Sequence, residues 1–308
     1  MENNFFVSVV IPLYNCELSI QRAVRSVLNQ TVQDFELIVV DDGSTDSSYQ
    51  KVLEIEDPRL KVIHQENGGA SVARNKGVEL ASAPLVAFLD SDDEWKPDFL
   101  EKMRLFISQY PECVLYGAGY ETLRFDGLVR YNKGVFPEGW MGIIPDYIEV
   151  MSTYPFCTCT VVAKKTILTE IGGFPIGVKF GQDVATWLRC SLAGKIAFIN
   201  QPFALVHRDV TTSSNLRFDR RQEPYPIILL KHLLREHAIP LASRRYALDY
   251  IARSSLKTSK ARFRAGEPIR ALFPLWNCLR SRVYWKRIFP LVRSEILSSM
   301  KKAFLGKH

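Results

Sequence analysis

The chain has 308 residues, 47% hydrophobic and 24% charged, an ordinary soluble composition long enough for one large α/β domain or two smaller ones with a substantial core. Its amino terminus lacks the basic start and apolar segment of a signal peptide, and no stretch approaches the roughly 18 apolar residues of a spanning helix, so a cytoplasmic location is expected. The net charge of +7 is uneven: from Lys257 onward thirteen Lys and Arg face two Glu, a local +11 that leaves −4 on the preceding 256 residues.

Residues 7–12 (Val-Ser-Val-Val-Ile-Pro) form the near-continuous β-branched run of a strand buried on both faces, closed by Pro12. Ile20, Ala23, Val24, Val27 and Leu28 then recur at helical spacing, with Asn15 placed as a cap. Residues 35–40 repeat the strand signal and end in Asp41-Asp42-Gly43-Ser44, completing a β-α-β unit and hence parallel strands. A helix over 47–53, a strand over 60–63, the loop Gln65-Glu66-Asn67-Gly68-Gly69 and a helix over 71–81 lead to an apolar run over 83–89. That run delivers Asp90-Ser91-Asp92-Asp93. Four strands alternating with helices predict a doubly wound, Rossmann-like sheet with both Asp-rich turns on its carboxyl edge, where open α/β sheets bind ligands.

Past a helix over 97–109 the character changes. Residues 113–117, 120–125, 156–163 and 195–199 are strand-like and separated by longer loops, while Val184, Trp187, Leu188 and Leu192 mark the apolar face of a helix over 183–193. This half reads as a mixed sheet facing a second substrate. From about residue 220 helical segments dominate, broken by prolines. The six cysteines lack disulfide or zinc-finger spacing and read as reduced core residues, Cys157 and Cys159 lying on one face of a strand.

Each motif admits two readings. The carboxylates of Asp90, Asp92 and Asp93 repel one another, which a hard divalent cation such as Mg²⁺ or Mn²⁺ would relieve; the alternative is a solvated turn before a helix. Asp42 at a strand end suits a base imide or a ribose hydroxyl, or else an Asx turn with Gly43. Tyr14 is a stacking ring or a partly buried one. Arg74, near a helix start, is poorly placed for the dipole, which points to an anion such as a diphosphate, or to an ion pair with a neighbouring aspartate. Asp183 caps its helix or faces a cleft, and His207 is a metal ligand or a structural histidine. No GxGxxG follows the first strand and no P-loop is present, so something other than a glycine-rich loop binds the phosphates.

These pieces occur together and in order. At residues 7–15, 26–31, 41–46, 67–77 and 89–93 the chain resembles family 2 of the inverting nucleotide-sugar glycosyltransferases. The resemblance implies a GT-A fold, a mixed but mainly parallel sheet flanked by helices, here with a helical C-terminal extension. It implies that Pro12, Tyr14 and Asp42 hold the base, with Arg74 near base or phosphates. Asp90-Ser91-Asp92 matches the family's DxD motif, in which Asp92 meets the metal and Asp90 the ribose; Asp93 is a support or an acceptor contact. Asp183 falls at the family's general base, preceded by Gln182 where the family has Glu, and His207 more weakly matches a further metal ligand.

The expected domains are therefore residues 1–219, a nucleotide-sugar half over 1–95 and an acceptor half over 96–219, followed by a basic helical region over 220–308. The expected activity is transfer of one hexosyl unit, with inversion, from a nucleoside-diphosphate sugar, UDP-linked, to a lipid-linked or cell-surface glycan in polysaccharide or cell-envelope biosynthesis, with Mn²⁺ or Mg²⁺ as cofactor. In the tail, residues 269–280 and 283–289 mix Trp, Phe and Leu with Arg and Lys, a composition suited to an anionic membrane surface on the inner face of the cell membrane. A solvated face or docking on the catalytic domain is the alternative, and nucleic acid is disfavoured. Two rival functions are a sugar nucleotidyltransferase, which normally has an activating loop unlike Tyr14-Asn15-Cys16-Glu17, and a non-catalytic nucleotide-sugar scaffold.

Overall fold

The computed structural model describes residues 5–124, 126–131, 134–208, 219, 221–267 and 270–274. The chain divides into two compact units, residues 1–213 and 214–308.

In the first unit β1 (Val7–Leu13), β2 (Phe35–Asp41), β3 (Leu60–His64) and β4 (Leu85–Phe88) alternate with α1 (Ile20–Leu28), α2 (Ser48–Leu53) and α3 (Ala70–Leu80). All pair in parallel, in the order β3-β2-β1-β4, with Ser8 opposite Glu36 and Val10 opposite Phe88. Every residue of β1 and β2 is buried, as their apolar runs require. α1 turns Ile20, Ala23, Val24 and Val27 into the same core as Val9 and Ile11. α3 lies so close to β1 that a Cβ on Gly77 would stand 2.3 Å from a Val10 methyl, so this position requires glycine.

β5 (Glu94–Trp95) and α4 (Phe99–Gln109) lead into the second half of the sheet: β6 (Leu115–Arg124), β7 (Val129–Tyr131), β8 (Met141–Ile143), α5 (Tyr147–Val150), β9 (Val161–Lys164), α6 (Lys165–Glu170), α7 (Gln182–Ala193) and β10 (Ile196–Arg208). β9 runs antiparallel between β4 and β6, which makes the sheet mixed. The main path continues β4-β9-β6-β10-β5, with β7 on β6 and β8 on β10. α7 is anchored by Trp187, whose ring centroid lies 6.0 Å from that of Phe88 and 5.4 Å from that of Phe174. Such aromatic pairs add about 0.5–1.5 kcal/mol beyond burial. Because Phe88 ends β4, this packing fixes the start of α7 relative to the acidic turn that follows β4.

Several local expectations change. Asn15 does not cap α1: Ser19 occupies that place, while Asn15 adopts φ +49° and its side-chain oxygen accepts from Thr45 N at 2.8 Å, tying the loop after β1 to the loop after β2. β1 continues through Pro12 to Leu13, since its pairing with β4 has already ended at Val10. Residues 158–160 form a 3-10 turn rather than strand, so Cys157 and Cys159 do not share a strand face. Thr160 holds that turn by donating its hydroxyl to Ala118 O at 2.7 Å. The two strand signals around Gly117 and Gly119 belong to one strand, β6. Gly119 admits the close approach of Gln201 O at the irregularity of β10, where Pro202 is accommodated and the strand runs on to Arg208. Asp183 is the second residue of α7, not its cap; Gly181, at φ +78°, takes the cap position.

In the second unit α8 (Tyr225–Arg235) and α9 (Arg244–Arg264) pack together and bury Ile227, Leu230, Ala247 and Ile251. No helix among the described residues is long and apolar enough to cross a membrane. Apart from 270–274, the aromatic and basic segments expected to meet a membrane lie outside the described residues. The five described cysteines are free; Cys278 also lies outside.

Candidate active site

The parallel strands β2 and β4 end on one edge of the sheet, and both acidic turns are there. Pro12 is buried inside β1 and Tyr14, 46% exposed, follows it. Asp41 and Asp42 are both buried at the end of β2, Asp41 accepting from His64 Nδ1 at 2.7 Å and Asp42 engaged by the loop before α3.

After β4, Asp90 is half-buried, Ser91 is buried, Asp92 is half-buried and Asp93 is 3% exposed. The Arg22 guanidinium on α1 donates to Asp92 O at 2.5 Å, bracing the turn from the side, and Ser91 hydrogen-bonds the Cys16 thiol. Asp93 turns inward, where its Oδ1 accepts from His207 N at 2.9 Å and its Oδ2 from the Cys159 thiol at 2.8 Å. Buried there, it lies beneath the acidic turn. Burial, then the charges of Asp92 and Asp90, push the Asp93 carboxyl well above its usual range. A hydrogen bond with Cys157, then burial, then Asp90 and Asp93 raise the Cys159 thiol, which therefore stays protonated as the donor. The ligand atoms of Asp90, Asp93 and Cys159 lie within 4.8 Å of one another.

Asp90 and Asp92 offer half-exposed hard oxygens, and burial followed by repulsion from Asp90 raises the Asp92 carboxyl. A divalent cation beside them would remove that repulsion, so these residues fit a hard, oxygen-liganded ion. His207, at the end of β10, places Nε2 2.9 Å from Glu94 Oε1.

Arg74 links the two halves. It is the fifth residue of α3, its side chain is 7% exposed, and Nη2 donates to Asp90 Oδ1 at 2.6 Å. Nε and Nη1 are buried without a partner. Burial opposes the charged guanidinium, but Asp90 and then Asp183 outweigh it and raise its pKa, so both carboxylates act on this one cation. The next residue, Asn75, clasps the Phe174 backbone with two bonds, 2.8 Å and 2.7 Å, and the Phe174 ring lies 5.4 Å from the Arg74 guanidinium carbon. Asp183 itself accepts from Thr158 Oγ1 at 3.3 Å and from Val184 N at 2.8 Å. Gln182 precedes it, its carbonyl accepting from the Thr186 hydroxyl.

The family model of glycosyl transferase family 2 matches residues 8–165. The chain belongs to that family. This family 2 glycosyltransferase is 44% identical over 199 residues to a Bacillus subtilis (strain 168) glycosyltransferase assigned to teichuronic acid biosynthesis, TuaG, covering 62% of this chain and 74% of the relative. It is 34% identical over 202 residues to the Escherichia coli UDP-Glc:alpha-D-GlcNAc-diphosphoundecaprenol beta-1,3-glucosyltransferase WfgD, covering 65% and 76%. Among solved structures it resembles S. aureus TarS in complex with UDP-GlcNAc, with a TM-score of 0.63 at 17% identity over 89% and 91% of the two chains, a likeness of fold. The GT-A fold is thus the architecture of this enzyme, and the acidic edge of its sheet is the candidate active site.

Arg22, Thr158, Cys159 and Asn75 are the members of the site that sequence reasoning did not assign to it. Cys157-Thr158-Cys159 did stand out as a close pair of thiols, but its carboxylate partners on the turn after β4 carry no sequence signal.

Proposed function

We propose that this glycosyltransferase moves a single sugar, with inversion, from a UDP-sugar to a lipid-linked glycan acceptor in cell-envelope polysaccharide biosynthesis. The observation that carries this is the convergence of Asp90, from the turn after β4, and Asp183, from the start of α7, on the one buried guanidinium of Arg74. Asp90 pairs with this cation directly, and Asp183 acts on it through its charge. The UDP donor and lipid-diphosphate acceptor in the name of WfgD, and the UDP-GlcNAc bound by TarS, support the substrate classes.

Asp183 accepts the proton of the acceptor hydroxyl as that oxygen bonds to the anomeric carbon, while the bond from that carbon to the diphosphate oxygen breaks on the opposite face. One displacement inverts the centre. Asp92, with Asp90 beside it, would hold Mn²⁺ or Mg²⁺, which supplies charge neutralisation on the departing nucleoside diphosphate. Asp90 also keeps Arg74 in place, Asp93 fixes the turn from beneath, and Pro12 and Tyr14 line the base side. Residues 1–213 carry the reaction and residues 214–308 bring the enzyme to an anionic membrane surface.

The test is transfer from a panel of nucleotide sugars to polyprenyl-diphosphate-linked saccharides with Mn²⁺ present. Asp183→Asn is expected to bind UDP as the wild type does while transfer falls by about 10²–10⁴-fold, the usual contribution of a general base. Full transfer by that variant would end the assignment.

A further inference from the structure

The three residues of the 3-10 turn over 158–160 each hold a different part of the molecule, and they do so from a fixed base. The turn runs straight into β9, whose Val162 pairs with Ala87 of β4 and with Tyr116 of β6 in the middle of the sheet. Thr160, fully buried, donates to Ala118 O at 2.7 Å, and Trp95 Nε1 donates to Cys159 O at 2.6 Å. The Cys159 thiol donates to Asp93 Oδ2 at 2.8 Å, beneath the acidic turn after β4. The remaining residue, Thr158, is 4% exposed, and its hydroxyl donates to Asp183 Oδ2 at 3.3 Å. Consecutive residues thus touch the acidic turn and the start of α7.

Asp183 has a second bond, from Val184 N to Oδ1 at 2.8 Å. That donor is the next residue of α7, so the bond moves with the helix and does not set the carboxylate against the sheet. The pull of Arg74 on Asp183 is one of charge, which falls off gradually with distance and fixes no orientation. A hydrogen bond from a buried hydroxyl outside the helix is directional, and Thr158 provides one. A carboxylate offers about four lone-pair sites, so these two bonds leave others open to an acceptor hydroxyl. The group itself is half-buried.

We infer that Thr158 is a positioning residue for the transfer step: its hydroxyl holds the Asp183 carboxylate in a fixed orientation relative to the acidic turn that Cys159 holds through Asp93. The inference rests on the reading of Asp183 as the base that takes the acceptor's proton. Orientation at this point matters, because a reacting group displaced by about 1 Å can cost about 10²-fold in rate.

The experiment compares the full chain of the wild type with Thr158→Val, Thr158→Ser and Asp183→Asn. Transfer to a polyprenyl-diphosphate-linked saccharide is measured from the UDP-sugar that the wild type uses, and UDP with Mn²⁺ is titrated by calorimetry. Valine keeps the branched shape and removes the donor; serine keeps the donor and removes the methyl. Thr158→Val is expected to lower kcat by about 10- to 100-fold with KM for the donor and UDP affinity unchanged, since the lost bond acts on the proton-accepting group alone. Thr158→Ser is expected to retain most of the wild-type kcat. Wild-type kcat in Thr158→Val would overturn the inference. So would a UDP affinity that falls as far as kcat, or a Thr158→Ser variant as impaired as Thr158→Val, because either marks a turn that only supports the fold. If Thr158→Val does not fold, Thr158→Ala removes the same donor and is judged by the same outcomes. Asp183→Asn separates the two readings: if it is inactive while Thr158→Val is unaffected, this inference alone fails. If Asp183→Asn keeps full transfer, or the wild type transfers from no UDP-sugar, the base reading and this inference fail together.

Discussion

Replacing Glu36 with Gln should destabilise the sheet domain by about 2 kcal/mol at neutral pH, and the loss should titrate. Glu36 lies on β2 with no exposed side-chain area. Its Oε1 accepts from the Ser8 hydroxyl, the Ser82 N–H and the Ser82 hydroxyl, each at 2.6 Å, and its Oε2 from Lys61 Nζ at 2.7 Å. Burial by itself would raise the carboxyl; Lys61, then Ser8 and Ser82, reverse that and bring it from 4.5 to about 2. At 1.36 kcal/mol per pH unit the difference corresponds to about 3 kcal/mol. Lys61 is 53% exposed, so solvent screens its share and about 2 kcal/mol remains.

The sign follows from the lowered folded-state value. The contribution is fully present above 4.5 and fades as pH falls toward about 2. Urea and thermal unfolding, followed by tryptophan fluorescence between neutral pH and about pH 3, should show a gap between wild type and Glu36→Gln that narrows toward the acid end. At neutral pH the midpoint should fall by about 4–8 °C for a domain of this size. A gap that stays constant over that range, or no gap at neutral pH, would refute the reasoning. Ser82 begins the link into β4, whose other end leads to Asp90.

Asp92→Asn is expected to lower Mn²⁺ affinity in the presence of UDP by at least about tenfold, read as free Mn²⁺ by electron paramagnetic resonance; wild-type affinity would exclude Asp92 as a ligand. Gly77→Ala should cost about 1–3 kcal/mol in unfolding free energy, since the added methyl meets Val10 at 2.3 Å between α3 and β1, and an unchanged midpoint would contradict that packing. Flotation with vesicles containing phosphatidylglycerol should carry the full chain but not a chain truncated after residue 218; equal binding by both would remove the tail as the membrane contact.

The first ninety residues are legible because their order is local. Apolar runs such as residues 7–11 and 35–40 must be buried on both faces, alternation with helices makes the strands parallel, and parallel strands bring Asp42 and Asp90 to one edge. The second half is less legible. Its strands bend around glycines and Pro202, and a 3-10 turn replaces a segment whose alternation imitates a strand. Asn15 has the side chain of a cap, yet Thr45, brought near by pairing of β1 with β2, captures it.

The carboxylates of the site, Asp42, Asp90, Asp92 and Asp183, were thus present in the sequence as residue types at strand and helix ends. Their environments were not. Arg22 on the Asp92 carbonyl, Cys159 on Asp93, Thr158 on Asp183 and the loop donors on Asp42 join residues 70, 66, 25 and 23–27 positions apart. Hydrophobic periodicity specifies which face of an element is buried, but side-chain hydrogen bonds over such separations depend on strand register and on helix packing at the scale of an ångström, which only the assembled sheet decides.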